Sequence, residues 1–97
     1  MRVVFASDAL RDLERIGDWI AEDSLRRALS YVREIRVRAR SLKHWPFRYQ
    51  AISADPRLRR APYGAYNIYY VVFEDRVLIW RIVHSTVAFE VVWPGTE

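Results

Sequence analysis

The chain has no cysteine among its 97 residues, which excludes a disulfide framework, a thiolate metal site and a cysteine nucleophile. Its three glycines are scattered and form no loop of the kind that cradles a phosphate. Two isolated histidines, His44 and His84, lack metal-ligand spacing, so neither a metal nor another cofactor is expected. No run approaches the roughly 20 apolar residues of a membrane span, and the opening apolar run is too short for a signal peptide. A cytoplasmic protein with no membrane partner is the expectation. Repeats, low-complexity segments and linkers are missing too, so residues 1–97 read as one domain. Lysine is almost absent, Lys43 being the only one.

Against these absences, 52% of the residues are hydrophobic, enough for a globular chain with one small core. The net charge of +4 is carried almost wholly by arginine. Arginine grips phosphate and carboxylate through a bidentate fork, so the excess suits an anionic partner, either nucleic acid or an acidic peptide. A helix-turn-helix pattern is not found, which weighs against a DNA-binding module.

The chain is organised around residues 57–85, which read as three strands. Residues 57–61 form the first, closed by Pro62, which cannot donate to a ladder. Residues 65–73 are dense in Tyr, Ile and Val and form the second. Residues 76–84 form the third, across a two-residue Glu74-Asp75 turn. That turn places Phe73 opposite Arg76, Val71 opposite Leu78, Tyr69 opposite Trp80 and Asn67 opposite Ile82. The other face then carries Tyr66, Ile68, Tyr70 and Val72 against Val83, Arg81, Ile79 and Val77. Both faces are largely apolar, so each needs a cover.

Upstream, residues 2–5 make a short opening strand. Ser7 is placed to cap a helix, in which Ala9, Leu13, Ile16 and Ile20 recur at helical spacing to about Glu22. Asp23-Ser24 interrupts, and Ser24 caps a second helix whose stripe is Leu25, Ala28, Leu29, Val32, Ile35, Ala39 and Leu42. Two helices so closely joined form a hairpin that covers one sheet face. Arg26, Arg33, Arg36 and Arg40 border that stripe, lengthening the core with their stems or presenting charge to a partner. Pro46 ends the helix region, with Trp45 and Phe47 expected over the open end of the core. Residues 87–93 suit either a fourth strand or a short helix. The fold class is α+β, with order β-α-α-β-β-β(-β), a helical hairpin on an antiparallel sheet.

Four segments in this order carry a resemblance: F-A-S-D-A-L-R-D-L-E-R-I-G-D-W-I-A-E from Phe5, L-K-H-W-P from Leu42, L-R-R-A-P-Y-G-A-Y-N-I-Y-Y from Leu58, and R-I-V-H-S from Arg81. Together they resemble the RelE/ParE superfamily of toxins from bacterial type II toxin–antitoxin modules, most closely the ParE branch of plasmid stabilisation proteins. The resemblance implies a toxin neutralised by a small cognate antitoxin whose C-terminal segment lies along it. Trp19, Arg33, Arg36, Tyr69 and Trp80 are the residues expected at that contact. The alternative is that the tail after His84 folds back and closes the second face unaided.

The superfamily divides on mechanism. RelE-like members look like ribosome-dependent mRNA endonucleases, and cleavage of RNA through its 2′-hydroxyl needs a base, an acid and cations around the phosphate. Arg57, Arg59, Arg60, Arg81 and His84 are the candidates for such a site. ParE-like members are understood to trap DNA gyrase by binding, and on that reading Arg59, Arg60 and His84 contact the target. No tyrosine follows His84, where RelE-like members carry a catalytic Tyr or His. The run S-T-V-A-F-E also replaces the Arg and Asp that usually continue the ParE pattern. Arg81 and His84 lie on opposite strand faces by alternation. His84 is read as structural, bonded to a backbone carbonyl, and Arg81 needs a carboxylate from the first helix or the C-terminal region. The gyrase-binding reading is therefore preferred.

Overall fold

A computed structural model describes residues 1–92. Its elements are β1 (Arg2–Phe5), α1 (Ser7–Ala21), α2 (Leu25–Ser41), β2 (Leu58–Tyr63), β3 (Tyr66–Val72), β4 (Arg76–His84) and α3 (Phe89–Val92). The strands form one sheet in the order β1-β4-β3-β2. The meander β2-β3-β4 is antiparallel as expected, but β1 pairs with β4 in parallel, from Arg2 opposite Arg76 to Phe5 opposite Ile79. The sheet is thus mixed. The helical hairpin and two meander strands supply the long crossover that a parallel pair requires.

The helices cover one face of the sheet. Ala9, Leu13 and Ile16 of α1 and Ile35 and Ala39 of α2 pack on Ala61, Ile68, Tyr70, Val72, Val77, Ile79 and Ile82. Phe73 N–H donates to Arg76 O at 2.8 Å, and Val71 stands opposite Leu78, as the two-residue turn requires. Beyond that the register departs from simple alternation. Tyr69 faces Arg81 rather than Trp80, and Asn67 faces Val83 rather than Ile82, because β4 holds one extra residue where the pairing shifts between Tyr69 and Tyr70. The bulge decides the core's composition. It lets Ile79 and Ile82 both turn towards the helices, 0% and 1% exposed, where alternation placed Arg81 and Val83.

Local chemistry explains other departures. Ser7 does not cap α1; Ala6 is its N-cap, without a side-chain bond, and Asp8 pairs with Arg11 instead. Ser24 does cap α2, its hydroxyl accepting from Arg27 N–H at 3.1 Å. β2 runs through Pro62 to Tyr63, which an edge strand tolerates because its outer N–H positions need no ladder partner. Gly64 turns the chain with φ of 56°, and a Cβ there would collide with the Tyr31 hydroxyl.

The stripe of α2 is only partly used. Ala28, Ile35, Ala39 and Leu42 are buried, whereas Leu25 and Leu29 are 66% and 62% exposed. Trp45 and Phe47 are likewise exposed and do not close the core. Tyr49 packs there instead, and Tyr70 Oη donates to Pro46 O at 2.6 Å. The tail folds back as a short helix, placing Phe89 5.9 Å from the Tyr69 ring and burying Val92. Trp93, at the end of the segment left open between strand and helix, lies outside the described residues.

Candidate functional site

β1 stops at Phe5, so β4 beyond Ile79 keeps β3 on one side but has no strand on the other. Asp12, on the packed face of α1, fills that gap. Its carboxylate accepts Ile82 N–H at 2.8 Å and the Arg81 Nε–H and Nη2–H at 2.7 and 3.1 Å. Arg15 approaches it at 3.6 Å. The hydrogen bonds to Asp12 raise the Arg81 pKa above its ordinary value. Arg81 therefore finds its carboxylate on the first helix, and its charge is spent inside the fold.

The other expected cations are mostly committed as well. Arg57 forks onto Asp55, with bonds from 2.7 to 3.2 Å, and its side-chain and backbone donors hold the Asp55 carboxyl down to about 2. Arg59 donates to the carbonyls of Pro56, Phe47 and Tyr49 at 2.7, 3.1 and 2.7 Å and lies over the Phe47 ring. It fastens residues 47–56 to the sheet. His84 is exposed, its ring edge-on to Tyr66 at 5.3 Å. Its Nδ1 accepts Thr86 N–H at 3.2 Å and lies 2.9 Å from the Thr86 hydroxyl. The partner is thus a backbone N–H rather than the expected carbonyl, and the acceptor role places the ring proton on Nε2 in the neutral form.

Pairing puts Arg59 and His84 on the helix-side face, several residues apart, and Arg60 on the opposite face. Arg57, Arg59, Arg60, Arg81 and His84 do not converge on one reacting atom. Among the described residues no cluster of His, Asp and Glu is placed to hold a metal ion, and no helix is long and apolar enough to cross a membrane.

A broader surface lies on the outside of the helical hairpin. A groove of about 280 Å³ runs between α1 and α2, lined in part by Leu10, Gly17, Leu25, Leu29 and Val32. Gly17 permits the close approach, since a Cβ there would lie 3.4 Å from Val32 Cγ2. A second hollow, at Leu25, Arg26, Leu29 and Arg33, continues it. A third, at Arg33, Val37, Arg38 and Tyr63, carries it towards the sheet edge. There Arg38 donates to Pro62 O at 3.0 Å. The Tyr63 hydroxyl donates to Glu34 at 2.7 Å, and with the Arg27 bond it lowers the Glu34 pKa.

The residues expected at the antitoxin contact divide between two sides of the molecule. Trp19, 68% exposed, Arg33 and Arg36 belong to the helical hairpin. Arg36 and Arg40 also sit over the Phe5 ring, at 5.9 and 5.7 Å, which is the stem-packing role. Tyr69 and Trp80 meet at 5.6 Å on the far face of the sheet, and Tyr69 is wholly buried. The apolar members of the hairpin surface, Leu10, Leu25, Leu29 and Val37, were not singled out as a site. For Leu25 and Leu29 the signal was an α2 stripe longer than a short sheet can bury; Leu10, on α1, and Val37 lie outside that stripe.

The sequence matches the family described as ParE toxin of type II toxin-antitoxin system, parDE, over residues 3–89. No curated protein matches the chain. Among solved structures, a chromosomal ParDE system from P. aeruginosa has a TM-score of 0.73 at 20% identity, over 87% of this chain and 95% of that one. The RelBE2 toxin–antitoxin complex of Mycobacterium tuberculosis gives 0.64 at 21%, over 89% and 92%. The conserved hypothetical protein HP0894 of Helicobacter pylori gives 0.54 at 13%, over 89% and 96%. At these identities the structures speak to the fold, whereas the family match spans nearly the whole described chain. The chain belongs to the ParE toxin family of type II toxin–antitoxin systems.

Proposed function

We propose that this toxin acts by binding DNA gyrase, without chemistry of its own, and is neutralised by a cognate antitoxin that docks on the helical hairpin. The observation that carries the binding mode is the commitment of its cations. Arg57, Arg59 and Arg81 are tied to Asp55, to loop carbonyls and to Asp12. A phosphodiester-cleaving site needs such groups aimed at the substrate. Arg60 and His84 remain available to a target, and Arg59 supports the contact by holding the adjoining loop.

For the antitoxin, the exposed leucines of α2 flanked by Arg26, Arg33 and Arg36 suit an amphipathic acidic helix. Trp19 extends that surface at the end of α1. Tyr69 lies beneath α3 and supports the far face rather than touching the partner.

The test pairs two assays on toxin freed from its antitoxin: gyrase supercoiling, and mRNA cleavage on translating ribosomes. Loss of supercoiling with intact mRNA is the expected result; cuts in mRNA with unaffected gyrase would establish the endonuclease reading instead. Leu29→Glu should weaken antitoxin binding roughly tenfold or more, about 1.4 kcal/mol, while leaving gyrase inhibition intact. Unchanged capture of the antitoxin by this variant would move its docking site off the hairpin.

A further inference from the structure

On the sheet face away from the helical hairpin, beside edge strand β2, lies a cavity of about 450 Å³ lined by Tyr49, Gln50, Arg60, Pro62 and Asn67. Asn67 is 8% exposed, yet among the described residues its carboxamide has no hydrogen-bond partner. The amide is not sealed off: its small exposure leaves it to solvent in the cavity, where a ligand would replace water. Arg60 is half-buried beside it and, among the described residues, makes neither an ion pair nor a side-chain hydrogen bond. No carboxylate lines the cavity. Its volume is in the range of small-molecule sites.

We propose that this cavity binds a nucleoside phosphate, with the Arg60 guanidinium on the phosphate and the Asn67 carboxamide on the base. Arg60 pairs with Tyr69 and Asn67 pairs with Pro62, so the two are diagonal neighbours on one face, about 7–8 Å apart. A cation and an amide set side by side along one cavity suit a ligand with an anion at one end and a hydrogen-bonding ring at the other. Inorganic phosphate or a lone carboxylate would engage Arg60 and leave the amide to water.

A carboxamide both donates and accepts, which matches the paired N6 and N7 groups of adenine. Adenine is accordingly the favoured base. Tyr49 borders the cavity, but its ring packs against the helix-side core and carries the Arg48 guanidinium 5.3 Å from its centroid, so recognition of the base falls to Asn67. The inference rests on this cavity and not on the identity of the target, and it shares Arg60 with the target contact proposed above.

The experiment is calorimetric titration of the purified full chain with adenosine monophosphate, uridine monophosphate, adenosine, inorganic phosphate and a short oligoadenylate. Adenosine monophosphate should bind at least tenfold more tightly than either inorganic phosphate or uridine monophosphate. Arg60→Ala should lower its affinity about tenfold while sparing adenosine. Asn67→Leu should erase the preference for adenine while retaining the response to phosphate. Tighter binding of the oligoadenylate would identify a nucleic-acid strand as the source of the nucleotide, and equal or weaker binding a free nucleotide. Thermal melts of both variants establish that they are folded. No binding of adenosine monophosphate at millimolar concentration would overturn the assignment, as would affinities untouched by both substitutions or matched by inorganic phosphate.

Discussion

Asp12 and Asn67 are the two buried polar side chains among the described residues, 4% and 8% exposed, and they are treated in opposite ways. Asp12 lies on the helix side, where β4 outruns β1, and receives three hydrogen bonds from Arg81 and Ile82. Asn67 lies on the other face in a cavity whose remaining polar groups leave its amide unpaired. One closes a gap in a sheet and the other borders an opening. A buried polar group whose bonds are all made within the chain reads as architecture, and one that opens onto a cavity reads as a place where a ligand can replace water.

The largest way to break the comparison is Asp12→Ala. It leaves the Ile82 N–H without an acceptor and the Arg81 guanidinium, 28% exposed, without its counter-charge. Losing one side of a buried pair costs about 3–5 kcal/mol. Partial exposure of Arg81 moderates this, so a loss of about 3 kcal/mol is expected in urea denaturation. Asp12→Asn retains one acceptor oxygen and should lose about half as much. If Asp12→Ala unfolds at the wild-type urea midpoint, the node is not what holds β4 to α1.

The Asp12 node was half legible in the sequence. Arg81 on a largely apolar strand demanded a carboxylate, and α1 was named as one source. Asp12 itself falls between Ala9 and Leu13 on the apolar stripe, which marks an acid turned inward. The β3-β4 hairpin was legible because two dense apolar runs meet across two residues. The bulge was not, since one extra residue leaves no mark on composition and shifts faces only where packing selects Ile82 over Arg81. Nor was the parallel pairing of β1, because a strand of four residues carries no directional signal and its partner lies far along the chain. The hairpin surface escaped for a related reason: periodicity says which side of α2 is apolar, but not where the sheet beneath it ends. The Asn67 cavity was missed as well, since Asn67 was read only as a strand residue and its burial depends on neighbours from residues 49 and 50.

Tyr70 sharpens the comparison as an intermediate case. Its ring is wholly buried, and its hydroxyl donates to Pro46 O, with the Tyr49 backbone also within hydrogen-bonding reach. Tyr70→Phe should cost about 1 kcal/mol at neutral pH, the net value of one such bond. Burial pushes the Tyr70 pKa up to about 12, above the value near 10 in the unfolded chain. The contribution is therefore fully present below pH 10 and is lost as pH rises towards 12. Urea midpoints measured across that window should fall less steeply for Tyr70→Phe. A residual slope remains, because the pKa values of Tyr63 and Tyr66 are also raised. Equal slopes for variant and wild type would mean that the Tyr70 hydroxyl ionises as freely in the fold as out of it.

The smallest expected effect belongs to Asn67, and it decides the comparison. Asn67→Leu keeps nearly the same volume and removes an amide that has no partner, so no protein hydrogen bond is lost. Replacing a polar group that meets only water by an apolar one of similar shape changes stability little, within about 0.5 kcal/mol. Removing the Asp12 carboxylate, by contrast, strands three N–H donors, two on Arg81 and one on Ile82. A urea midpoint for Asn67→Leu within experimental error of wild type is therefore expected in protein without ligand. A loss above about 1 kcal/mol would mean that Asn67, like Asp12, is held by a bond within the folded chain. The two buried groups would then be of one kind, both architectural, and the cavity would lose its reason to be read as a site.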